Sequence, residues 1–207
     1  MDTPLSHPSV DNIRQALARG IAGPSSDYDL NAEVKNLLPP GRKLRQAAVL
    51  CPLVERSGTL NVVLTRRSSQ LKHHPGQVAF PGGKVDPGDA DAEAAALREA
   101  REEIGLEPGS VELLGALPVH ETVTGFMVHP FVGRIPADFA PVPEAGEVEE
   151  VFEVPLAFLL DSANRTVQSR DWRGQERRYY TIPYGPYYIW GATARILRTF
   201  ADLIHAR

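Results

Sequence analysis

Arg98–Leu106 reads Arg-Glu-Ala-Arg-Glu-Glu-Ile-Gly-Leu, and this stretch decides the fold that we predict. An α-helix advances about 100° per residue, so the three glutamates of the stretch would share one arc roughly 100° wide. These glutamates are Glu99, Glu102 and Glu103. The apolar residues on the opposite side, which would face a core, are Leu97, Ala100 and Ile104. The pattern predicts a helix over 92–104 that ends at Gly105.

Three carboxylates on one arc repel one another, and like charges four residues apart cost a few tenths of a kcal/mol even in water. A hard divalent cation would compensate them, because Mg²⁺ binds carboxylate oxygens together with water and phosphate oxygens. Pyrophosphate hydrolysis needs such a cation, since a water nucleophile must approach negatively charged groups. Taken alone, however, such a pattern is more often a solvent-exposed helix face with Arg–Glu pairs.

The segment before the helix, Phe80–Gly88, is rich in glycine and proline and leads from a strand into the helix. Its glycines permit close backbone approach and positive φ angles. Asp89 or Asp91 can cap the helix N-terminus. A catalytic helix needs a rigid attachment of this kind, although a plain connecting turn would have the same composition.

The whole chain has the composition of a folded protein. Its 207 residues are 43% apolar and 23% charged, which fits one domain with an extension and excludes disorder along the whole length. Cys51 is the single cysteine, so no internal disulfide can form, which suits a reducing compartment. No apolar run approaches the ~20 residues of a membrane span, and no secretory signal is evident. We expect a cytoplasmic protein without a membrane partner, and the formal net charge of -4 argues mildly against a nucleic-acid partner.

The order of the predicted elements indicates an α+β domain with a mixed β-sheet. The expected strands are 46–54 and 60–66, joined by a turn at Ser57–Gly58, then 111–117, 127–135, 148–154 and a hairpin over 166–182. A loop is expected over 67–87. Helical segments are expected over 10–20, with Asp11 as a possible N-cap, and over 155–160 and 189–205. We divide the chain into an N-terminal extension, 1–44, with a short helix and a Pro/Gly-rich linker, and a main domain, 45–207, that ends in a helix.

Together, Gly83 and Arg98–Leu106 resemble the Nudix box, G-x5-E-x7-R-E-U-x-E-E-x-G-U, in which U is apolar. The second half of this pattern matches at every specified position. The first half departs from it, because 14 residues rather than 13 separate Gly83 from Arg98. No Glu stands at the internal position, which Asp89 and Ala90 bracket. A one-residue insertion in the loop explains the spacing.

A second motif lies directly upstream. Residues 63–83 read Val-Leu-Thr-Arg-Arg-Ser-Ser-Gln-Leu-Lys-His-His-Pro-Gly-Gln-Val-Ala-Phe-Pro-Gly-Gly. They resemble the motif L-L-T-x-R-S-x-x-L-x-x-H-x-G-Q-V-A-F-P-G-G, which marks the coenzyme A pyrophosphatase branch of the Nudix family. Only the first position departs, with Val63 in place of Leu. The resemblance covers roughly residues 45–200 and leaves residues 1–44 outside it.

The resemblance implies a Nudix-type α/β/α sandwich around a mixed β-sheet. It implies hydrolysis, dependent on Mg²⁺ or Mn²⁺, of a nucleoside diphosphate linked to another moiety. For this branch the implied reaction converts CoA and water to 3′,5′-ADP and 4′-phosphopantetheine. Glu99 and Glu103 would then hold the metal, with Glu102 as a third ligand or a water-positioning group, and Arg98 would orient a carboxylate.

The same resemblance assigns roles outside the helix. Glu147 would complete the metal site or act as the base, and Glu144 is its local competitor. His74 would either hydrogen-bond a phosphate or anchor its loop. The residues implied to shape the substrate site are Arg67, Ser68, His74, Gln77, Gly82 and Gly83.

Two other functions stay open from the sequence. The protein could hydrolyse ADP-ribose, NADH or another dinucleotide, or it could be a nucleotide-binding regulator that has lost catalysis. All three carboxylates of the box are present and no basic run is evident, which argues against the regulator. The sequence leaves open the choice among free, oxidised and acyl-CoA, the choice between Mg²⁺ and Mn²⁺, and a possible homodimer.

Overall fold

The structure is a computed structural model that describes residues 8–20, 23–36, 38–39, 41–172 and 174–206. Within these ranges the helices are α1 Val10–Arg19, α2 Ala32–Asn36, α3 Ala92–Ile104, α4 Leu156–Leu160 and α5 Gly191–His205. The strands are β1 Ser25–Ser26, β2 Arg45–Arg56, β3 Thr59–Arg67, β4 Val78–Ala79, β5 Gly82–Lys84, β6 Glu112–Ala116, β7 His120–Glu121, β8 Phe126–Ile135, β9 Val148–Pro155, β10 Thr166–Trp172, β11 Gln175–Tyr184 and β12 Tyr187–Trp190.

The main sheet is mixed, as predicted. Strand β2 lies at its centre, parallel to β8 and antiparallel to β3 and β5. Strand β3 continues the sheet through β4 and β9, and β8 continues it through β6 and β7. The last three strands form a separate antiparallel sheet in the order β10-β11-β12.

Alternating side chains of the main sheet enter two hydrophobic cores, one on each face. Along β3, Val62 and Leu64 face the core that is completed by α1, α4 and α5, whereas Val63 faces the core completed by α3. Successive residues of a strand point to opposite faces, so one strand supplies both cores. The predicted α/β/α sandwich is confirmed.

The β2–β3 hairpin turns where the sequence predicts it. Ser57 and Gly58 have φ angles of 49° and 78°, the left-handed pair that matches the twist of a two-residue hairpin. Helix α3 also has the predicted bounds. Of its two candidate caps, Asp91 accepts the backbone N–H of Ala94 at 2.8 Å, and Gly105, with φ 72°, ends the helix.

Two predictions for the segments around the site were wrong. The expected loop over 67–87 contains β4 and β5, strands of two and three residues that are too short to show an alternating pattern. The Gly-rich β5 pairs with β2, which lies far away in the chain. The C-terminal helix begins at Gly191 instead of Ile189, because Ile189 pairs with Ile182 in the second sheet and extends β12 up to Trp190.

The N-terminal helix forms as predicted, with a different cap. Its N-cap is Ser9 rather than Asp11, since the Ser9 hydroxyl accepts the backbone N–H of Asn12. Ile13 and Leu17 of α1 are buried in the same core as α5. The domain boundary at residue 44 stays a prediction. In the described ranges, no helix has the length and apolar character to cross a membrane.

Candidate active site

Helix α3 presents its three glutamates at very different depths. The side chain of Glu102 is 58% exposed, that of Glu99 16% and that of Glu103 only 5%. The sequence placed all three on the arc that faces away from the core. Glu103 departs from this expectation because β5 pairs with β2 and brings Gly82 against the side of the helix where Glu103 lies.

The two glycines of β5 form the floor beneath these carboxylates. The backbone N–H of Gly82 donates a hydrogen bond to Glu103 Oε2 at 3.1 Å. The Glu99 carboxylate packs directly on Gly83, where an added Cβ would lie 2.6 Å from its carboxyl carbon. Both positions therefore need the small residue that the sequence pattern requires.

Burial makes the negative charges of Glu99 and Glu103 costly. The pKa of Glu103 is raised to about 7, chiefly by burial and to a smaller extent by the charges of Glu99 and Glu147, while the Gly82 hydrogen bond and the Arg67 charge oppose the rise. Burial also raises the pKa of Glu99, against hydrogen bonding and charge from Arg98. Two carboxylates that are poorly compensated by the protein form an environment that favours a cation.

Arg98 donates hydrogen bonds to several residues in the outer part of the site. Its Nε donates to Asp89 Oδ1 at 2.9 Å, and its Nη2 donates to Asp89 Oδ2 and to the Lys84 carbonyl at 3.0 and 3.1 Å. Its Nη1 donates to Glu99 and Glu102, each at 3.0 Å. The predicted contact with Glu99 is present, and the same guanidinium also restrains Glu102 and the preceding loop.

The partner of Arg98 is Asp89, which the sequence analysis named as a candidate helix cap and as a neighbour of the internal position of the box, without a role in the site. Asp89 accepts two hydrogen bonds from Arg98, which hold its pKa at about 2. Counted forward from Gly83, Asp89 occupies the internal position at which the Nudix box carries Glu. The spacing from Gly83 was the signal that could have identified this pair.

The loop after β8 brings the predicted Glu147 to the same place. The charge of Glu147 contributes to the raised pKa values of both Glu99 and Glu103, so its carboxylate lies near enough to act on both. The backbone N–H of Glu144 donates to the Glu103 carbonyl at 3.0 Å. The competitor Glu144 directs its own carboxylate to the backbone N–H groups of Gly146 and Glu147.

Residues of the upstream motif meet the acidic helix at one end of that motif. Arg67 Nη1 lies 3.8 Å from Glu103 Oε1, and the backbone N–H of the buried Ser68 donates to the Glu147 carbonyl at 2.8 Å. Gln77 pairs with Arg67 through its backbone carbonyl at 3.0 Å. His74 lies in the exposed part of the loop with a φ of 54°. Its carbonyl accepts the Gln77 N–H, which is a contact within the loop itself.

The donor set fits a hard divalent cation. Glu99, Glu103 and Glu147 supply only carboxylate oxygens, the ligands that Mg²⁺ and Mn²⁺ prefer. Among the described residues, no group of three or more acidic, His or Cys side chains is already arranged to hold a metal ion. Mg²⁺ does not need such a cage, because it binds through one or two carboxylates and completes its shell with water and substrate phosphate.

We expect the stability of the metal-free protein to fall as the pH rises from 5 to 8. The folded-state pKa of Glu103 is raised from 4.5 to about 7, so its contribution is fully present below pH 4.5 and is lost as the pH rises through about 7. The expected loss is about 2 kcal/mol. Thermal melting with a chelator at both pH values, compared with Glu103→Gln, measures it. A pH dependence that the variant retains in full would contradict the assignment.

Comparison with known proteins agrees with this arrangement. The family model described as NUDIX domain matches residues 44–173. The protein named "Uncharacterized Nudix hydrolase NudL" of Enterobacter sp. (strain 638) is 47% identical over 157 residues, which cover 76% of this chain and 81% of that protein. The protein of the same name from Escherichia coli (strain K12) has the same identity and coverage.

A solved structure, the MutT protein from Methanosarcina mazei Go1, matches the fold with a TM-score of 0.50 at 19% identity, over 80% of this chain and 96% of that chain. This likeness concerns the fold alone. The family model, in contrast, spans more than half of the sequence and includes the acidic helix, its glycine floor and the residues of the upstream loop. The chain therefore belongs to the NUDIX domain family.

Proposed function

We propose that the protein hydrolyses the pyrophosphate bond of coenzyme A or its derivatives to 3′,5′-ADP and 4′-phosphopantetheine, or to the acyl form of the latter. It is a Nudix-type pyrophosphatase, and the proposal concerns its substrate. One observation carries the proposal: the motif over 63–83 ends against the acidic helix. Arg67 reaches Glu103 at 3.8 Å, and Ser68 holds the backbone of Glu147.

The residues of the chain divide into metal-holding and positioning groups in this proposal. Glu99 and Glu103 would hold Mg²⁺ or Mn²⁺, and the more exposed Glu102 would act as a third ligand or position a water molecule. Bound metal would neutralise charge on the phosphate oxygens and make water more acidic. Arg98 keeps Glu99 and Glu102 in place through its two 3.0 Å hydrogen bonds.

Hydrolysis adds one water molecule across the phosphoanhydride: the attacked phosphorus gains the water oxygen and its bond to the bridging oxygen breaks. Glu147 is the residue that we assign as the acceptor of the water proton. Its side chain is exposed, so water can reach it, and its negative charge acts on the buried pair Glu99 and Glu103. Its exposure also distinguishes it from Glu103, whose carboxylate is enclosed.

Three of the proposed substrate residues contact these carboxylates: Arg67 lies 3.8 Å from Glu103, and Gly82 and Gly83 lie against Glu103 and Glu99. Arg67 would contact a phosphate, because a guanidinium suits phosphate oxygens. Gly82 and Gly83 would admit the diphosphate close to the backbone, and His74 and Gln77 would shape the more distant part of the site.

The single, buried cysteine supports a cytoplasmic location for an enzyme of this kind.

Incubation of the purified protein with CoA and Mg²⁺ or Mn²⁺, with a chelated control, tests the proposal. We expect 3′,5′-ADP and 4′-phosphopantetheine, identified by mass, only when the metal is present. If CoA stays intact while ADP-ribose or NADH is hydrolysed, the protein is a pyrophosphatase but CoA is not its substrate. Nucleotide binding without hydrolysis of any of them would indicate the regulator.

A further inference from the structure

The loop between β8 and β9 is docked onto the last turn of the acidic helix. The backbone N–H of Val142 donates to the Ile104 carbonyl at 2.9 Å, and that of Glu144 donates to the Glu103 carbonyl at 3.0 Å. The last carbonyls of a helix have no partner within the helix. The loop supplies partners, so its position follows that of the residues that carry the carboxylates.

Within this loop, one side chain closes the turn that ends at Glu147. Glu144 Oε2 accepts the backbone N–H of Gly146 at 2.9 Å and that of Glu147 at 2.7 Å. The Glu144 carbonyl accepts the N–H of Val148 at 2.8 Å. An added Cβ on Gly146 would lie 3.1 Å from Glu144 Oε2, so the carboxylate packs on that glycine.

The backbone of Glu147 is therefore fixed on both sides. Its N–H is shared between the Glu144 carboxylate at 2.7 Å and the Glu144 carbonyl at 3.2 Å, and its own carbonyl accepts the N–H of Ser68 at 2.8 Å. The first contact comes from its own loop and the second from the upstream motif. Between these two contacts, the direction in which the Glu147 side chain leaves the backbone is set.

We propose that Glu144 is a positioning residue that holds the Glu147 carboxylate opposite Glu99 and Glu103, and that it neither binds metal nor accepts the proton. The proposal rests on the function proposed above. It depends on a hydrogen-bond acceptor at Glu144 and not on its charge. Displacement of a catalytic group by about 1 Å can cost up to about a hundredfold in rate, but water can replace part of an exposed contact, so we expect a smaller loss.

Four variants of the full chain test the proposal with CoA and Mg²⁺. Glu144→Ala is expected to lower kcat about tenfold with KM within about twofold, whereas Glu144→Gln, which keeps an acceptor oxygen, is expected to stay within about twofold of wild type. Gly146→Ala, whose Cβ would push the Glu144 carboxylate away from a 3.1 Å contact without altering it, is expected to lower kcat less than Glu144→Ala does. Glu149→Ala removes a neighbouring exposed carboxylate, paired with Arg66, and serves as the matched control.

A double variant separates positioning from an independent role. If Glu144 acts through Glu147, adding Glu144→Ala to Glu147→Gln lowers kcat no further. Multiplicative losses, equal losses in Glu144→Gln and Glu144→Ala, or a wild-type rate in Glu144→Ala would each overturn the proposal.

Amide hydrogen exchange gives a readout without substrate. The N–H groups of Gly146 and Glu147 should both exchange faster in Glu144→Ala than in wild type, at an unchanged melting temperature. The several-fold change is expected at Gly146, because the Glu144 carbonyl remains a second acceptor for the Glu147 N–H at 3.2 Å. An unchanged exchange rate overturns the proposal even if kcat falls. If the wild-type protein leaves CoA intact, the proposed substrate fails, and the exchange measurement still decides whether Glu144 holds Glu147.

Discussion

Replacement of Glu103 by Gln is expected to lower kcat by at least about a thousandfold while the protein stays folded. The amide has nearly the same shape and keeps an oxygen that can accept the Gly82 N–H, so the contact between β5 and α3 survives. It loses the negative charge that would bind the metal. Steady-state kinetics with CoA or another cleaved pyrophosphate, together with thermal melting, measures both effects.

Glu93→Gln provides the matched control for this variant. Glu93 is an exposed glutamate in the first turn of the same helix, outside the group of carboxylates around Gly82 and Gly83. Glu93→Gln should retain the wild-type rate. Its stability should fall by a few tenths of a kcal/mol, because a negative charge near the N-terminus of a helix interacts favourably with the helix dipole. Wild-type turnover in Glu103→Gln would show that the metal assignment is wrong.

Alanine at the two adjacent glycines of β5 is expected to affect different properties: activity at Gly83 and stability at Gly82. At Gly83, the new Cβ would meet the end of the Glu99 side chain at 2.6 Å. This carboxylate can rotate away, so we expect a small change in melting temperature but a fall in kcat of about a hundredfold, because one metal ligand is displaced.

At Gly82, the new Cβ would meet the backbone of β2, with the Ala48 carbonyl oxygen at 2.4 Å and a φ of 155° that side chains rarely adopt. Backbone cannot rotate away. We expect Gly82→Ala to cost on the order of 3 kcal/mol of unfolding free energy. Melting and turnover of both variants, measured side by side, test the contrast. A Gly83→Ala protein with full activity would show that Glu99 tolerates another position.

Much of this site follows from the sequence because its signals are local. The spacing of charges and apolar residues over Arg98–Leu106 predicts the helix, its bounds and the set of carboxylates. The depth of Glu103 could not be predicted, since it depends on the pairing of Ala48 with Gly83, which lie far apart in the chain. A helical wheel treats every residue on the outer arc as equally exposed to solvent. In the folded protein, β5 covers the part of this arc that contains Glu103.

The choice between Glu144 and Glu147 was left open for a similar reason. Two glutamates three residues apart in a loop have equivalent sequence surroundings, and only the hydrogen bonds of the folded turn distinguish them. The strand β12 was missed because its apolar residues also continue the helical pattern of α5. In each case, a contact with a distant segment decided between two readings that the local pattern allowed.

The burial of α1 beside α5 has a consequence for how this chain can change over evolution. Ile13, Leu17 and Phe200 lie in one core, yet all three fall outside the family segment 44–173. The core that α1 and α5 complete is thus built from residues inside the family segment together with residues on both sides of it. Substitutions of the buried apolar residues in either terminal helix are therefore expected to change how long the protein persists in the cell without replacing any residue of the candidate site.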